Sequence, residues 1–267
     1  MAFINSGLIC KTLTIYFSIT FYVLCSVAYN AHYMSETIVM SVGGSLIVPG
    51  GIDTNFLSNL KQFVETETAL GRRFIIIAGG GRTARNYQEA AAAVSELNAE
   101  DLDWMGIHAT RLNGHLLRTV FRDLAHRVMI TNPDEILDAP KHEKVVIASG
   151  YRPGSSTDLR AVQIAEKIGA SKVINLSNID YVYTADPRTN PDATPIKTIS
   201  WADFRAMIPA NWDPGLSSPF DPVAAKIAER DNIEVAIING SNLSEVMKYL
   251  DEKEFVGTKI VNEKRSQ

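Results

Sequence analysis

The chain has 267 residues, 46% of them apolar, and a formal net charge of −4. That length allows one large α/β domain or two small ones. So mild a charge excludes a broad polyanion-binding surface, so bulk nucleic-acid binding has no support and charge at any site must be local. Both cysteines, Cys10 and Cys25, precede Met34, which leaves the rest without a disulfide framework, a zinc-cysteine cluster or a thiol nucleophile.

Thr12–Tyr29 is uncharged and largely apolar, with Lys11 before it and Ser26-Val27-Ala28 fitting a signal-peptidase site. Its length is marginal for a membrane span. Three readings fit residues 1–33: a signal peptide, a membrane anchor, or upstream DNA translated from a misassigned start. Hydropathy alone ranks the first two ahead. Met34-Ser35-Glu36, however, reads as an ordinary start directly before the first strand.

Thr37–Val42 reads as that strand, ending in Gly43-Gly44-Ser45. Asp53 caps a helix to about Leu70, with Phe56, Leu57, Leu60, Phe63 and Val64 at helical spacing. Phe74–Arg85, FIIIAGGGRTAR, follows: an unbroken apolar run of the kind buried on both faces, three glycines, then an alanine-rich helix from Arg82 to Val94. Leu102–Leu124 is a second long helical pattern. Short strands are expected at Val128–Thr131 and Lys144–Ala148, a loop at Ser149–Thr157, a helix at Asp158–Ile168 and a strand at Lys172–Leu176. This rhythm is that of a mostly parallel sheet with helices on both faces, a three-layer αβα sandwich.

Ser177–Thr198 reads as a β-hairpin or extended excursion. Ser200 caps a short helix to about Met207, and Pro209–Pro219 is a long loop. Asp221-Pro222 pairs an N-cap with proline at the first helical position, opening a helix to about Arg230. Glu234–Ile238 is a strand, Asn242 and Glu245 fit a capping box for Leu243–Leu250, and Phe255–Val261 is the last strand expected.

Ligands of such sheets sit where strands end and helices begin. Gly43–Ser45, Gly79–Gly81 and Gly154–Thr157 all lie at such ends. Bare glycine backbone lets a phosphate approach, and the first amides of a helix have no internal partner. A lone Gly-Gly-Gly is equally a plain turn; three phosphate-friendly loops together suggest a polyphosphate or two phosphates face to face. Neither GxxxxGK[ST] nor GxGxxG occurs, so any phosphate must use another glycine arrangement.

Six stretches give this a more specific form: VGGSL (42–46), AGGGRTAR (78–85), MGIHATRLNGHLL (105–117), PGSSTD (153–158), SNIDYVYTADPR (177–188) and DPVAAKIAER (221–230). In these the chain resembles the amino-acid-kinase family, and within it the archaeal-type uridylate (UMP) kinases, over nearly everything from Met34 onward. The resemblance implies transfer of the γ-phosphoryl of ATP to UMP, with Mg2+ arriving on ATP. The UMP part would be about 34–170 and the ATP part about 171–267. An acceptor that is already anionic needs no base, so the work is to hold two repelling anions in line.

By position, the resemblance puts Gly44 and Ser45 over the ATP phosphates, with Gly81 and Arg85 on the ATP side and Gly80 at UMP. Asp103 takes the UMP ribose, and Tyr151, Arg152, Pro153, Gly154, Ser155, Ser156 and Thr157 wrap UMP. Ser177, Tyr183 and Asp186 match the nucleotide pocket. Asp180 and Asp221 match the acidic catalytic positions, Asp221 being equally a helix cap. Lys226, one turn on, faces phosphate or solvent. The resemblance further implies a homo-oligomer, a hexamer, and a cytoplasmic protein of pyrimidine nucleotide synthesis with no nucleic-acid or membrane partner. That cytosolic expectation is the reason to favour the misassigned start.

Two positions depart from the family pattern. Ser41 stands where many members carry lysine, and losing a cation beside the transferring phosphoryl lowers rate by orders of magnitude unless another substitutes. Tyr181 stands where the motif has glycine, and would be strained at positive φ. The alternatives are another small-phosphate kinase of this fold, such as isopentenyl phosphate kinase, which carries a histidine after its glycines, or a non-catalytic oxyanion storage or sensor protein.

Overall fold

A computed structural model describes residues 36–211 and 218–263. The apolar stretch before Met34, that start itself, and most of the Pro209–Pro219 loop lie outside them. In chain order the strands are β1 (Thr37–Val42), β2 (Arg73–Ala78), β3 (Val145–Ala148), β4 (Lys172–Ser177), β5 (Val182–Tyr183), β6 (Pro195–Ile196), β7 (Thr198–Ser200), β8 (Glu234–Asn239) and β9 (Thr258–Val261). The helices are α1 (Gly44–Ile47), α2 (Thr54–Ala69), α3 (Gly81–Ala92), α4 (Ala99–Val120), α5 (Thr157–Ile168), α6 (Trp201–Met207), α7 (Pro222–Arg230) and α8 (Leu243–Leu250), with a 3-10 turn at Pro133–Asp138.

Seven strands form one sheet in the order β3-β2-β1-β4-β8-β9-β7. The first five run parallel, and β9 joins β8 antiparallel. Each central strand alternates its side chains between two cores. Met40, Val42, Phe74, Ile76, Ile174 and Leu176 pack with α2, α4 and α8 on one face. Val39, Ile75, Ile77, Val173 and Val235 pack with α5, α6 and α7 on the other. The expected three-layer αβα sandwich is therefore the fold.

Several boundaries differ from the expected ones, each for a local reason. Val128–Thr131 forms no strand: the segment bends, touching β3 only through isolated bridges such as Ile130 to Ala148. The helix expected from Leu102 begins at Ala99, because Asn98 and Asp101 cap it reciprocally. The capping box expected at Asn242 does not form; the Glu245 carboxylate instead accepts from Val256 N at 2.8 Å and from Lys248 Nζ. The hairpin after β4 narrows to two residues a side in β5 and β6. Tyr181 escapes the feared strain, since among the described residues only Asn232 and Glu252 are non-glycines at positive φ.

Candidate active site

Strands β1 and β2 succeed one another toward β3, whereas β4 returns to the opposite side of β1. This reversal opens a crevice at the carboxyl ends of β1 and β4, the usual ligand position in such sheets. Gly43–Ser45, Gly79–Gly81, Ser149–Thr157, Ser177–Asp180 and Asn239 all leave the sheet at this edge.

The first two loops are seated backbone against backbone. A Cβ on Gly44 would lie 1.9 Å from Gly81 N, and one on Gly81, at φ +61°, would lie 2.1 Å from Gly44 O. No side chain fits between them, so the glycines are required by packing as well as by any ligand. Gly79 N donates to Val42 O at 2.9 Å, and Arg82 N to Val48 O at 2.9 Å. From α4, the buried Asn113 amide donates to Gly79 O at 2.8 Å and to Gly80 O at 3.1 Å. These bonds spend the Gly79 and Arg82 amides and pin the loop at the strand ends, with the start of α3, a position that favours an anion, beside the crevice. Arg85 is exposed on α3 without an ion pair among the described residues, whereas Arg82 pairs with Glu89 at 2.9 Å.

Helix α4 also fixes the Ser149–Thr157 loop. Asp103 accepts from Gly154 N at 2.6 Å, Thr110 Oγ1 accepts from Gly150 N at 2.8 Å, and Arg111 donates to Gly150 O and Tyr151 O at 3.2 and 3.1 Å. The predicted ribose carboxylate thus lies against the predicted wrapping loop. Ser155 Oγ donates to Arg152 O. Ser156 caps α5 by accepting from Leu159 N and donates to Asp221 Oδ2 at 2.5 Å. Thr157 keeps a hydroxyl with no partner among the described residues, at the start of α5.

Asp221 is the cap of α7, its Oδ1 accepting from Val223 N and Ala224 N at 2.6 and 3.0 Å. It is 2% exposed, too enclosed to present its carboxylate openly, and its bond to Ser156 locks the starts of α5 and α7 together. Beside it lies Asp158, which sequence reasoning passed over. Asp158 Oδ1 accepts from Ser41 Oγ and from Asn175 Nδ2, each at 3.0 Å. Burial first, with the charge of Asp221 adding, pushes its carboxyl up to about 7 against the lowering effect of the Ser41 bond. Position 41 therefore supplies a hydrogen-bond donor to Asp158 where a lysine would supply charge.

On the β4–β8 side, Ser177 ends β4, and Asp180 accepts from Asn239 Nδ2 at 2.7 Å. Tyr183 lies on β5, half-buried, its ring 6.4 Å from that of Tyr181 in an edge arrangement. Asp186 stands apart: its carboxylate takes Arg188 Nε and NH2 and the Arg188 amide, closing an exposed turn. Lys226 faces the surface, its ammonium on Ala210 O at 3.0 Å. Asn113, Asn175 and Asn239 were missed as well. Asn113 lies inside a recognised motif, Asn175 inside an expected strand and Asn239 just past one, but nothing in the chain marks an asparagine as a loop holder until the fold brings a carbonyl or carboxylate to it.

Residues 36–239 match the Amino acid kinase family. The uridylate kinase of Hyperthermus butylicus is 34% identical over 79% of this chain and 92% of its own length. That of Methanospirillum hungatei is 34% identical over 84% of this chain and 94% of its own. Among solved structures, uridylate kinase from Archaeoglobus fulgidus covers 85% of this chain and 100% of its own, at 29% identity and a TM-score of 0.72. The chain therefore belongs to the amino acid kinase family.

Proposed function

We propose that this chain is a UMP kinase, transferring the γ-phosphoryl group of ATP to UMP to give UDP for pyrimidine nucleotide synthesis. The observation that carries this is the seating of the Gly44 and Gly79–Gly81 loops on each other where the strand order reverses, with the Asp103-tied loop beside them. Acceptor binding is assigned to the part before about residue 170, which supplies β3, β2 and β1. Nucleotide binding is assigned to the part after it, which supplies β4, β8 and the Tyr183 strand.

In this reading the peptide amides of the glycine loops and the start of α5 receive phosphate oxygens, Thr157 adds a hydroxyl and Arg85 adds charge. Their donors are fixed before substrate arrives, so little reorganisation accompanies the transfer. Asp221 and Asp158 act as positioning residues that hold these loops. Magnesium fits as an ion carried by the triphosphate, where it neutralises the β- and γ-oxygens, because Asp158, Asp180 and Asp221 are each already engaged by donors of the chain. The protein works in the cytosol with its nucleotides, which fractionation of native cells checks.

Helices α3 and α4 support a homo-oligomer. No residue of α3 is buried, and Tyr87, Trp104 and Leu112 are exposed at 66%, 38% and 62% on the two helices. The 22 residues of α4 span about 33 Å at ~1.5 Å each, long enough for an interface of about 800 Å² per partner. A second copy is the occupant assigned to this face; a hexamer needs a further contact.

A coupled ADP-release assay on the purified chain tests the activity. UMP should be turned over faster than CMP, AMP or isopentenyl phosphate. Equal or better turnover of any of these, or none of UMP, rejects the assignment.

A further inference from the structure

Arg160, on the first turns of α5, is 4% exposed yet has no carboxylate within ion-pair distance among the described residues. Its guanidinium donates to the neutral side chains of Gln163 and Ser155, and its Nε is buried with no hydrogen-bond partner among the described residues. It stacks 5.3 Å from the centroid of Tyr151, and the guanidinium of Arg152 lies 5.7 Å from the same ring. Two cations thus flank one aromatic side chain in the loop that wraps the acceptor.

This arrangement is costly without an anion. Taking a guanidinium out of water costs several kcal/mol unless an opposite charge and full hydrogen bonding compensate. The Tyr151 face offsets part of that through cation–π attraction. Burial nevertheless pushes the Arg160 guanidinium down to about 10, with the charge of Arg152 acting in the same direction and those of Tyr151 and Asp221 opposing. A phosphate monoester dianion supplies what is missing: negative charge for both guanidinium groups and an acceptor oxygen for the orphan Nε.

Of the other cations near the crevice, Arg85 is exposed and is assigned to the ATP side, and the rest are already engaged. Arg82 is paired with Glu89, Arg111 holds the carbonyls of Gly150 and Tyr151, and Lys226 is on Ala210 O. Position 41 carries serine. The geometry points to Arg160, assisted by Arg152, as a phosphate-binding residue for the acceptor nucleotide, supplying the positive charge that Ser41 does not. Ser155, neutral and partly exposed, is the contact the phosphate displaces.

This inference rests on the acceptor role of the Ser149–Thr157 loop, and the test separates the two. Calorimetry measures UMP, uridine, inorganic phosphate and ADP on the native chain and on Arg160→Met, Arg160→Lys and Arg152→Met, with urea unfolding alongside. Arg160→Met should weaken UMP and inorganic phosphate at least thirtyfold, change uridine and ADP less than threefold, and raise the KM for UMP more than it lowers kcat. Arg160→Lys should recover part of the affinity, and Arg152→Met should show a smaller loss of the same kind. Should Arg160→Met not fold, the lysine and Arg152 variants decide: unchanged phosphate affinity in both overturns the proposal. UMP turnover with an unchanged UMP constant in Arg160→Met overturns it and leaves the kinase assignment standing. Arg160-dependent phosphate binding by a chain that turns over no UMP does the reverse.

Discussion

Asp158 accepts hydrogen bonds from Ser41 on β1 and Asn175 on β4, so one carboxyl couples two neighbouring strands at the crevice. Its pKa rises on folding, from 3.8 to about 7. The native state therefore holds the proton more tightly than the unfolded chain does. Stability from this group is greatest in acid and falls as pH climbs through that window, by up to ~4 kcal/mol at ~1.4 per unit. Asp158→Asn removes the ionisation. Its urea midpoint relative to the native chain should improve between pH 4 and pH 8, while kcat drops about tenfold or more as β1, β4 and the start of α5 lose the carboxyl they share. A midpoint difference that stays flat with pH contradicts this account. The same position shows how far one residue can be read in isolation. Asp158 looks like an ordinary first-turn carboxylate in PGSSTD, and its neighbours on two strands are invisible until the strands pair. Ser156 is a second case: nothing in PGSSTD marks its hydroxyl as engaged, and the approach of Asp221 engages it.

Helix α4 is the element that builds the acceptor side. Its first turns carry Asp103, its middle Thr110 and Arg111, and Asn113 follows, so that one helical surface holds both the glycine loop and the Ser149–Thr157 loop. The glycine loop tolerates little. Gly81→Ala should cost about 2–4 kcal/mol, because the added methyl meets Gly44 O and the backbone is at positive φ, and it should abolish turnover. Asn113→Ala loses two donated bonds, about 1–3 kcal/mol, and should raise the KM for both substrates together. Thermal unfolding and steady-state kinetics read both; an Asn113→Ala chain with native constants means the loop holds its shape unaided. The start of α4 was placed three residues late, at Leu102, although Asn98 with Asp101 three residues on is a capping signature. The Asn242–Glu245 signature failed because a tertiary partner, Val256 N, competes for the same carboxylate.

For the molecule as a whole, the exposed face of α3 and α4 predicts assembly. Trp104→Glu with Leu112→Glu should shift the mass measured by light scattering toward the monomer, with urea stability of the monomer little changed. A native chain that is already monomeric at micromolar concentration contradicts the assigned interface. Among the described residues no helix is long and apolar enough to cross a membrane.

The sequence alone determined the layer architecture, the three phosphate-friendly loops and the family. All of these rest on short-range information: apolar runs, glycines at strand ends, caps, and motifs in order. Tertiary structure alone decided which polar groups are spent and which remain. Strand order put Ser41 and Asn175 beside Asp158, α4 closed Asp103 onto Gly154, and helix packing enclosed Arg160 without a counter-charge. Hydrogen bonds and charges act over a few ångströms, whereas the residues they join here stand from 17 to 117 positions apart in the chain.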